Sequence, residues 1–196
     1  MKTYDVAKGL LIPIFRALWR IRGRGIENVP RSGPLIVACN HLSYLDPPAL
    51  GVMCPRRLSY MAKAELFRIP VLGAVIRSVG AYPVDRVGSA SGAIKRSVAL
   101  LRAGGAVGIF PEGTRNLTGA AQVREGVALL ASLARAPVVP ACVSGSDRAG
   151  RLHRISVIFG KPLYLPHDRK ATREDLRTFT ERIMSEIHVL AETADA

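Results

Sequence analysis

A histidine and an aspartate five residues apart are the first candidates for chemistry in this sequence. His41 and Asp46 lie in the segment NHLSYLD, between an apolar run at 35–39 and Pro47. A short apolar, partly β-branched run predicts a buried strand, and Asp46 before Pro47 predicts a helix with Asp46 as its cap. We therefore expect His41 on the loop that leaves the carboxyl end of a strand, where open α/β sheets usually bind ligands.

The spacing of this pair decides what it can do. On a continuous helix the two side chains would point about 140° apart, because each residue turns by about 100°. A loop that ends in a cap can instead bring the Asp46 carboxylate onto one imidazole nitrogen of His41, which leaves the other nitrogen to accept a proton from a hydroxyl. No serine or cysteine lies where a covalent nucleophile would belong, so the substrate would supply that hydroxyl. The simpler alternative is that Asp46 only caps a helix and His41 is an ordinary loop residue.

A second polar loop repeats this arrangement. The apolar segment at 106–110 predicts another buried strand, and it is followed by Glu112, Gly113, Thr114 and Arg115. Glycine allows close backbone approach or a positive φ, threonine and arginine can bind phosphate oxygens, and glutamate can orient them or a substrate hydroxyl. An ordinary strand-to-helix turn has a similar composition. Two such loops on parallel strands would converge on one crevice, which favours a substrate-binding site over an ordinary turn.

Two further cations follow predicted strands. Lys63 comes after the strand predicted at 58–62, and Arg86 follows a short strand at 80–84 that contains Pro83. Such a lysine is usually solvated, and Asp85 with Arg86 could form a surface ion pair that adds little to stability. Alternatively, both cations reach the same sheet edge as His41 and bind an anion there.

Composition and charge narrow the class of protein. The chain has 196 residues, 48% of them hydrophobic and 22% charged, with a formal net charge of +13, which is typical of one globular domain that attracts anions. Nucleic acid is disfavoured as a partner because the basic residues are not interleaved with aromatic ones and no reading helix is recognisable. Cys39, Cys54 and Cys142 lack metal-ligand spacing, so we expect buried, reduced thiols in a cytosolic compartment and no metal site.

Strand and helix patterns alternate along the chain, which predicts an α/β fold with a mostly parallel central sheet flanked by helices. We expect two parts, an N-terminal basic amphipathic helix within 1–24 and a single α/β domain at 25–196. The N-terminal helix, with Trp19 and several arginines, suits a membrane interface or packs on its own domain. No apolar run reaches the roughly 18 residues of a spanning helix, and no signal-peptide cleavage site follows.

Four segments together resemble the glycerolipid acyltransferases, specifically the 1-acyl-glycerol-3-phosphate (lysophosphatidic acid) acyltransferases. They are NHLSYLD, GAYPVDR, FPEGTR and VVPACVSG, in that order, with KAELFRIPVLG between the first two. The resemblance covers about residues 35 to 160. The sequence departs from the family pattern at Tyr82-Pro83 and at Cys142, and neither departure removes a charged or catalytic group.

The resemblance implies transfer of a fatty acyl group from acyl-CoA or acyl-ACP (acyl carrier protein) to the sn-2 hydroxyl of 1-acyl-glycerol-3-phosphate, giving phosphatidic acid without a bound cofactor. His41 would be the general base and Asp46 its orienting partner. The acceptor phosphate would meet Lys63, Arg86 and Arg115, with Glu112, Gly113 and Thr114 shaping the pocket, and the acyl chain would lie near Leu66, Phe67, Leu72 and Val75.

The implied setting is the cytoplasmic face of the cell membrane. The chain would associate peripherally, as a monotopic protein, with an anionic membrane surface that holds the lysophospholipid acceptor. Alternatives are an acyltransferase for another lysophospholipid or for glycerol-3-phosphate and, more remotely, a non-enzymatic protein that binds anionic membranes.

Overall fold

The computed structural model describes residues 2–78, 80–84, 90–113, 125–151, 153–166 and 170–195. Within these ranges seven strands form one sheet in the order β1-β7-β6-β2-β5-β3-β4. The strands are β1 (Arg22–Arg24), β2 (Leu35–Cys39), β3 (Leu58–Lys63), β4 (Ala81–Val84), β5 (Ala106–Ile109), β6 (Val138–Ser144) and β7 (Ser156–Phe159).

The strand directions confirm the predicted α/β fold with a mostly parallel sheet. The strands β6, β2, β5, β3 and β4 pair in parallel, whereas β7 pairs antiparallel with β6 and parallel with β1. The carboxyl ends of five strands therefore share one edge of the sheet with the amino ends of β7 and β1. Every candidate loop named from the sequence follows one of the five parallel strands.

Strand β2 lies at the centre of the sheet and is buried along its whole length. Successive side chains of a strand point to opposite faces of the sheet, so the residues of β2 alternate between two hydrophobic cores. Leu35, Val37 and Cys39 pack on one face of the sheet, while Ile36 and Ala38 pack on the other. Because both faces are covered, the strand is a continuous apolar run in the sequence.

Helices cover both faces. The first core holds residues of α1 (Lys2–Trp19) and α2 (Asp46–Met53), and α1 also contacts α3 (Pro70–Ser78). The second core lies under α4 (Ala90–Arg102), α5 (Gly126–Ala134) and α6 (Arg173–Asp195). Short 3₁₀ helices occupy Ile26–Asn28, Ala64–Arg68 and Ala149–Arg151.

The carboxyl end of α1 is fastened to the α/β domain. Phe15 is buried in the first core, and the Trp19 indole N–H donates to the carbonyl of Ala149 at 2.8 Å. Ile14 and Leu18 remain 47% and 44% exposed on the same helix. β1 directly follows α1 and pairs with β7, so the predicted boundary after residue 24 falls after the first strand of the sheet.

None of the described helices combines the length and the apolar character that crossing a membrane requires.

Candidate active site

His41 and Asp46 are in direct contact at the carboxyl edge of the sheet. His41 Nδ1 lies 2.9 Å from Asp46 Oδ2. The Asp46 side chain is fully buried, and that of His41 is 17% exposed. The loop after β2 therefore folds the carboxylate back onto the imidazole, which is one of the two interpretations that the sequence left open.

Asp46 does more than bind the ring, because its carboxylate also organises the loop that carries His41. Oδ2 accepts hydrogen bonds from the amides of Leu42 at 2.6 Å and Ser43 at 2.7 Å. Helix α2 begins at Asp46 itself, with Leu45 at the capping position. The prediction that Asp46 is the helix cap was wrong by one residue, because its side chain turns back to the amides of the preceding loop instead of capping those of the helix.

This arrangement fixes which imidazole nitrogen can act as a base. An ionised carboxylate only accepts hydrogen bonds, so the contact with Asp46 places the proton of a neutral imidazole on Nδ1. Nε2 then carries the lone pair that can take a proton from a hydroxyl. The pair has the geometry of a base and its orienting group.

The other carboxylate oxygen contacts a residue that the sequence did not single out. Ser146, in the turn after β6, donates from Oγ to Asp46 Oδ1 at 2.5 Å, and Ser146 is only 2% exposed. The two residues are 100 positions apart, so no local sequence signal could have linked them.

Asn40 ties the start of the same loop to β6. Its side-chain amide donates to the carbonyl of Val143 at 2.9 Å, and its Oδ1 accepts from the amide of Val143 at 2.8 Å. Backbone pairing between β2 and β6 reaches Cys39 and Ala141. The Asn40 side chain thus continues the hydrogen bonding to β6 beyond the last backbone pair. The main chain at His41 no longer pairs with β6.

The loop after β5 converges on this point, as predicted. Glu112 is buried, and its Oε2 accepts a hydrogen bond from the main-chain amide of His41 at 2.9 Å. Gly113 has φ 68° and donates its amide to the carbonyl of Phe110 at 2.9 Å, which closes a tight turn. A positive φ favours glycine, which explains the residue type at position 113.

An aromatic ring covers one face of His41. Phe110 stacks on the imidazole with ring centroids 4.3 Å apart and an angle of 29° between the planes. Tyr60 lies beyond it, 6.3 Å from Phe110 between centroids. A side chain at Gly108, which is paired with Tyr60 in the sheet, would overlap the tyrosine ring. The sequence suggested only a core role for Phe110, because it ends an apolar run.

The structure leaves the predicted phosphate ligands untested. Lys63 is the last residue of β3 and is paired with Val84 of β4, but its side chain is not among those described. Arg86, Thr114 and Arg115 lie outside the described residues. The strands that precede them are neighbours in the order β5-β3-β4 and end at the edge that carries His41.

The predicted acyl-chain residues are described only in part. Leu66 and Phe67 are half-buried in the 3₁₀ helix Ala64–Arg68, where the Arg77 guanidinium lies 5.4 Å from the Phe67 ring centroid. The side chains of Leu72 and Val75, on α3, are not among those described. Their part in a pocket stays a prediction.

The cysteines are buried, as the sequence predicted. Burial raises the pKa of the Cys39 thiol well above its ordinary value, and the neighbouring Cys142 adds to the effect. Cys39 is therefore a protonated core residue and a poor nucleophile. Within the described ranges no three metal-ligating side chains come together.

Comparison with known proteins gives a consistent family. The sequence profile described as Acyltransferase matches residues 20–144, from the end of α1 to the end of β6. The 1-acyl-sn-glycerol-3-phosphate acyltransferase of Bacillus subtilis (strain 168) is 33% identical over 174 residues, covering 86% of this chain and 87% of that protein. The protein of the same name from Streptococcus pneumoniae is 28% identical over 199 residues, covering 96% of this chain and 73% of that protein.

A solved structure shares the fold. The crystal structure of the 1-acyl-sn-glycerophosphate (LPA) acyltransferase from Thermotoga maritima matches with a TM-score of 0.74. The match covers 95% of this chain and 79% of that chain, at 23% sequence identity. The likeness is therefore one of architecture.

Proposed function

The chain belongs to the acyltransferase family, and we propose that it moves a fatty acyl group from an acyl thioester to the sn-2 hydroxyl of 1-acyl-glycerol-3-phosphate, giving phosphatidic acid. One observation carries the proposal more than any other. His41 is held through Nδ1 by the buried Asp46 and lies at the sheet edge where β5, β3 and β4 also end. The proposed ligands of the acceptor phosphate follow these three strands. The curated relatives from Bacillus subtilis and Streptococcus pneumoniae bear the name of this activity.

The proposed reaction needs no covalent enzyme intermediate. Nε2 of His41 takes the proton of the acceptor hydroxyl while its oxygen attacks the thioester carbonyl carbon. The new carbon–oxygen bond gives a tetrahedral oxyanion, and the carbon–sulfur bond then breaks. The imidazolium returns its proton to the departing thiolate, so the products are an ester and a thiol. Asp46 stabilises the imidazolium in between and keeps the ring oriented.

A cationic clamp would place the acceptor. We assign its phosphate to Lys63, Arg86 and Arg115, with Gly113 and Thr114 shaping the loop around it. Holding the phosphate fixes the hydroxyl near the base, which replaces a costly bimolecular encounter by a positioned one. The neighbouring order of β5, β3 and β4, which precede these residues, supports the assignment.

Glu112 has two roles in the proposed reaction. Its contact with the His41 amide supports a role in holding the loop of the base, in addition to its assignment in the acceptor pocket. The acyl chain is assigned to an apolar pocket near Leu66, Phe67, Leu72 and Val75. The donor is acyl-CoA or acyl-ACP, used as a co-substrate with no bound cofactor.

A membrane surface would supply the lysophospholipid. The exposed Ile14 and Leu18 of α1 lie on the same helix as the exposed Arg16, just before the exposed Arg20 and Arg22. An apolar stripe beside cations suits the interface of an anionic bilayer. We therefore propose peripheral, monotopic attachment at the cytoplasmic face of the cell membrane, with residues 1–24 as the attaching segment and 25–196 as the catalytic domain.

The test is an activity assay with defined donor and acceptors. Purified protein receives palmitoyl-CoA and 1-oleoyl-glycerol-3-phosphate, and free thiol and phosphatidic acid are measured together. We expect equal amounts of both products, with thiol release lost in His41→Ala. Unchanged turnover in that variant would remove His41 as the base. Faster transfer to glycerol-3-phosphate or lysophosphatidylcholine would replace the proposed acceptor, and no transfer to any acceptor would favour a membrane-binding protein without activity.

A further inference from the structure

Ser146 contacts the Asp46 oxygen opposite the one that binds His41, and we propose that Ser146 is a positioning residue for the acyl transfer. Its Oγ lies 2.5 Å from Oδ1 of Asp46, and both side chains are buried. The inference rests on the proposed function, since Ser146 would act through Asp46 on His41. It would contact neither substrate.

The direction of the hydrogen bond follows from the carboxylate. An ionised Asp46 can only accept, so the Ser146 hydroxyl donates. Oδ2 already accepts from the His41 ring and from the amides of Leu42 and Ser43. With Ser146 on Oδ1, the two oxygens are held in distinct roles, and the carboxylate has a defined rotation about its Cβ–Cγ bond. Without that donor the buried carboxylate can rotate about this bond, and its negative charge is balanced by fewer hydrogen bonds.

The turn after β6 is built to deliver this hydroxyl. Gly145 has φ 79°, a conformation that favours glycine, and a Cβ there would overlap the carbonyl oxygen of Arg154. The amide of Ala149 donates to the carbonyl of Ser146 at 3.4 Å, which closes the turn. Ser144 and Ser156 pair across β6 and β7 at its base. The backbone thus fixes where Ser146 points before its side chain makes any contact.

The effect on His41 has a predictable sign. A hydroxyl donor offsets part of the negative charge of Asp46, and without it the full charge acts on the imidazole and favours the protonated ring. Two described carboxylates contact His41, Asp46 on α2 through the ring and Glu112 after β5 through the main-chain amide, whereas Phe110 covers one face of the ring. A change at Ser146 removes neither carboxylate. It alters only how Asp46 is held and solvated.

The kinetic test compares Ser146→Ala with a matched control. Ser97→Ala also removes a fully buried serine hydroxyl, one bonded to Tyr82 and to the carbonyl of Ala93 on α4. We expect Ser146→Ala to lower kcat at least about tenfold with the KM for the acceptor within about threefold, because orientation of the base matters most in the transition state. The acid limb of its pH–rate profile should move to higher pH, because the less screened charge of Asp46 favours the protonated ring. Ser97→Ala should change neither quantity.

Two more variants and a spectroscopic readout complete the test. Ser146→Thr keeps the hydroxyl and should recover most of kcat. If Ser146→Ala does not fold, Ser146→Cys replaces it, because a thiol is of similar size and a much weaker donor. The titration of the His41 ring, followed by NMR and assigned by its loss in His41→Ala, should move to higher pH in the Ala or Cys variant.

The outcomes separate this inference from the proposed function. If the wild type transfers no acyl group, the proposed function fails, and the NMR titration still decides whether Ser146 acts on His41 through Asp46. The inference would be overturned if Ser146→Ala had the same kcat, the same acid limb and the same titration of the His41 ring as the wild type. Equal losses in Ser146→Ala and Ser97→Ala, with no shift of the acid limb, would also overturn it, because Ser146 would then have only a structural role.

Discussion

Glu112 accepts a hydrogen bond at Oε2 from the main-chain amide of His41, across 71 positions of sequence. The loop after β5 therefore fixes the backbone of the proposed base, while Asp46 fixes its ring. Two carboxylates hold one histidine from different sides, and they can be tested separately.

Glu112→Gln and Glu112→Ala form a matched pair. The glutamine carbonyl can still accept from the His41 amide, whereas alanine leaves that part-buried amide without this partner, a loss worth about 1 kcal/mol of stability. We expect Glu112→Gln to keep kcat within about threefold and Glu112→Ala to lower it at least about tenfold. Steady-state kinetics measures kcat in both variants, and urea denaturation measures their free energies of unfolding. A fall in kcat as large in Gln as in Ala would mean that the charge, and not the contact, is what matters.

Asp46→Asn tests the charge next to the imidazole. An amide has nearly the same shape but cannot stabilise an imidazolium as a carboxylate does, so kcat should fall by about two to four orders of magnitude. The acid limb of the pH–rate profile should move to lower pH, because loss of the negative charge disfavours the protonated ring. Circular dichroism provides the check on folding. Activity within a few-fold of the wild type would show that Asp46 only organises the loop.

Ile14→Asp and Leu18→Asp test the role of α1 at a membrane. Each change places a charge on an exposed apolar side chain, so binding to vesicles of phosphatidylglycerol and phosphatidylcholine should weaken at least about tenfold. Leu133→Asp is the control, since Leu133 is similarly exposed, at 43%, on α5 of the opposite face. Sedimentation with vesicles at two salt concentrations gives the affinities. Equal weakening in all three variants would argue against α1 as the attaching segment.

Cys39 makes the folded chain less stable at alkaline pH. Its folded pKa is raised by burial, so its contribution is fully present below the ordinary thiol pKa of about 8.5 and is lost as the pH rises from there toward the folded value. Above the ordinary value the unfolded chain releases a proton that the folded chain keeps, which costs up to about 1.4 kcal/mol per pH unit. Urea denaturation at pH 8, 9 and 10 should show a steeper loss in the wild type than in Cys39→Ala. Parallel slopes would contradict this.

Local patterns predicted one contact between residues close in sequence and the convergence of two distant loops. The contact between His41 and Asp46 and the convergence of Glu112 on it follow from apolar strands that end in polar loops. The off-by-one helix start at Asp46 shows the limit of such patterns, since a cap and a residue that folds back on its loop look alike in sequence.

Contacts set by the strand order were beyond the sequence. Asn40 meets Val143, and Asp46 meets Ser146, only because β2 and β6 are neighbours in the sheet. Parallel neighbours are joined by long crossovers, so alternation of strands and helices predicts the class of sheet but not which strands are adjacent. The place of β1 beside β7 is another such case.

The turn at Gly145 also has a consequence for synthesis. Because Ser146 follows Asp46 by 100 positions, a ribosome needs about 5–20 seconds to add it once Asp46 has been made. During that interval the nascent polypeptide holds the histidine and the aspartate without the strand that supports them. The contacts that hold the His41–Asp46 pair are therefore complete only after β6 and Ser146 have been added to the chain.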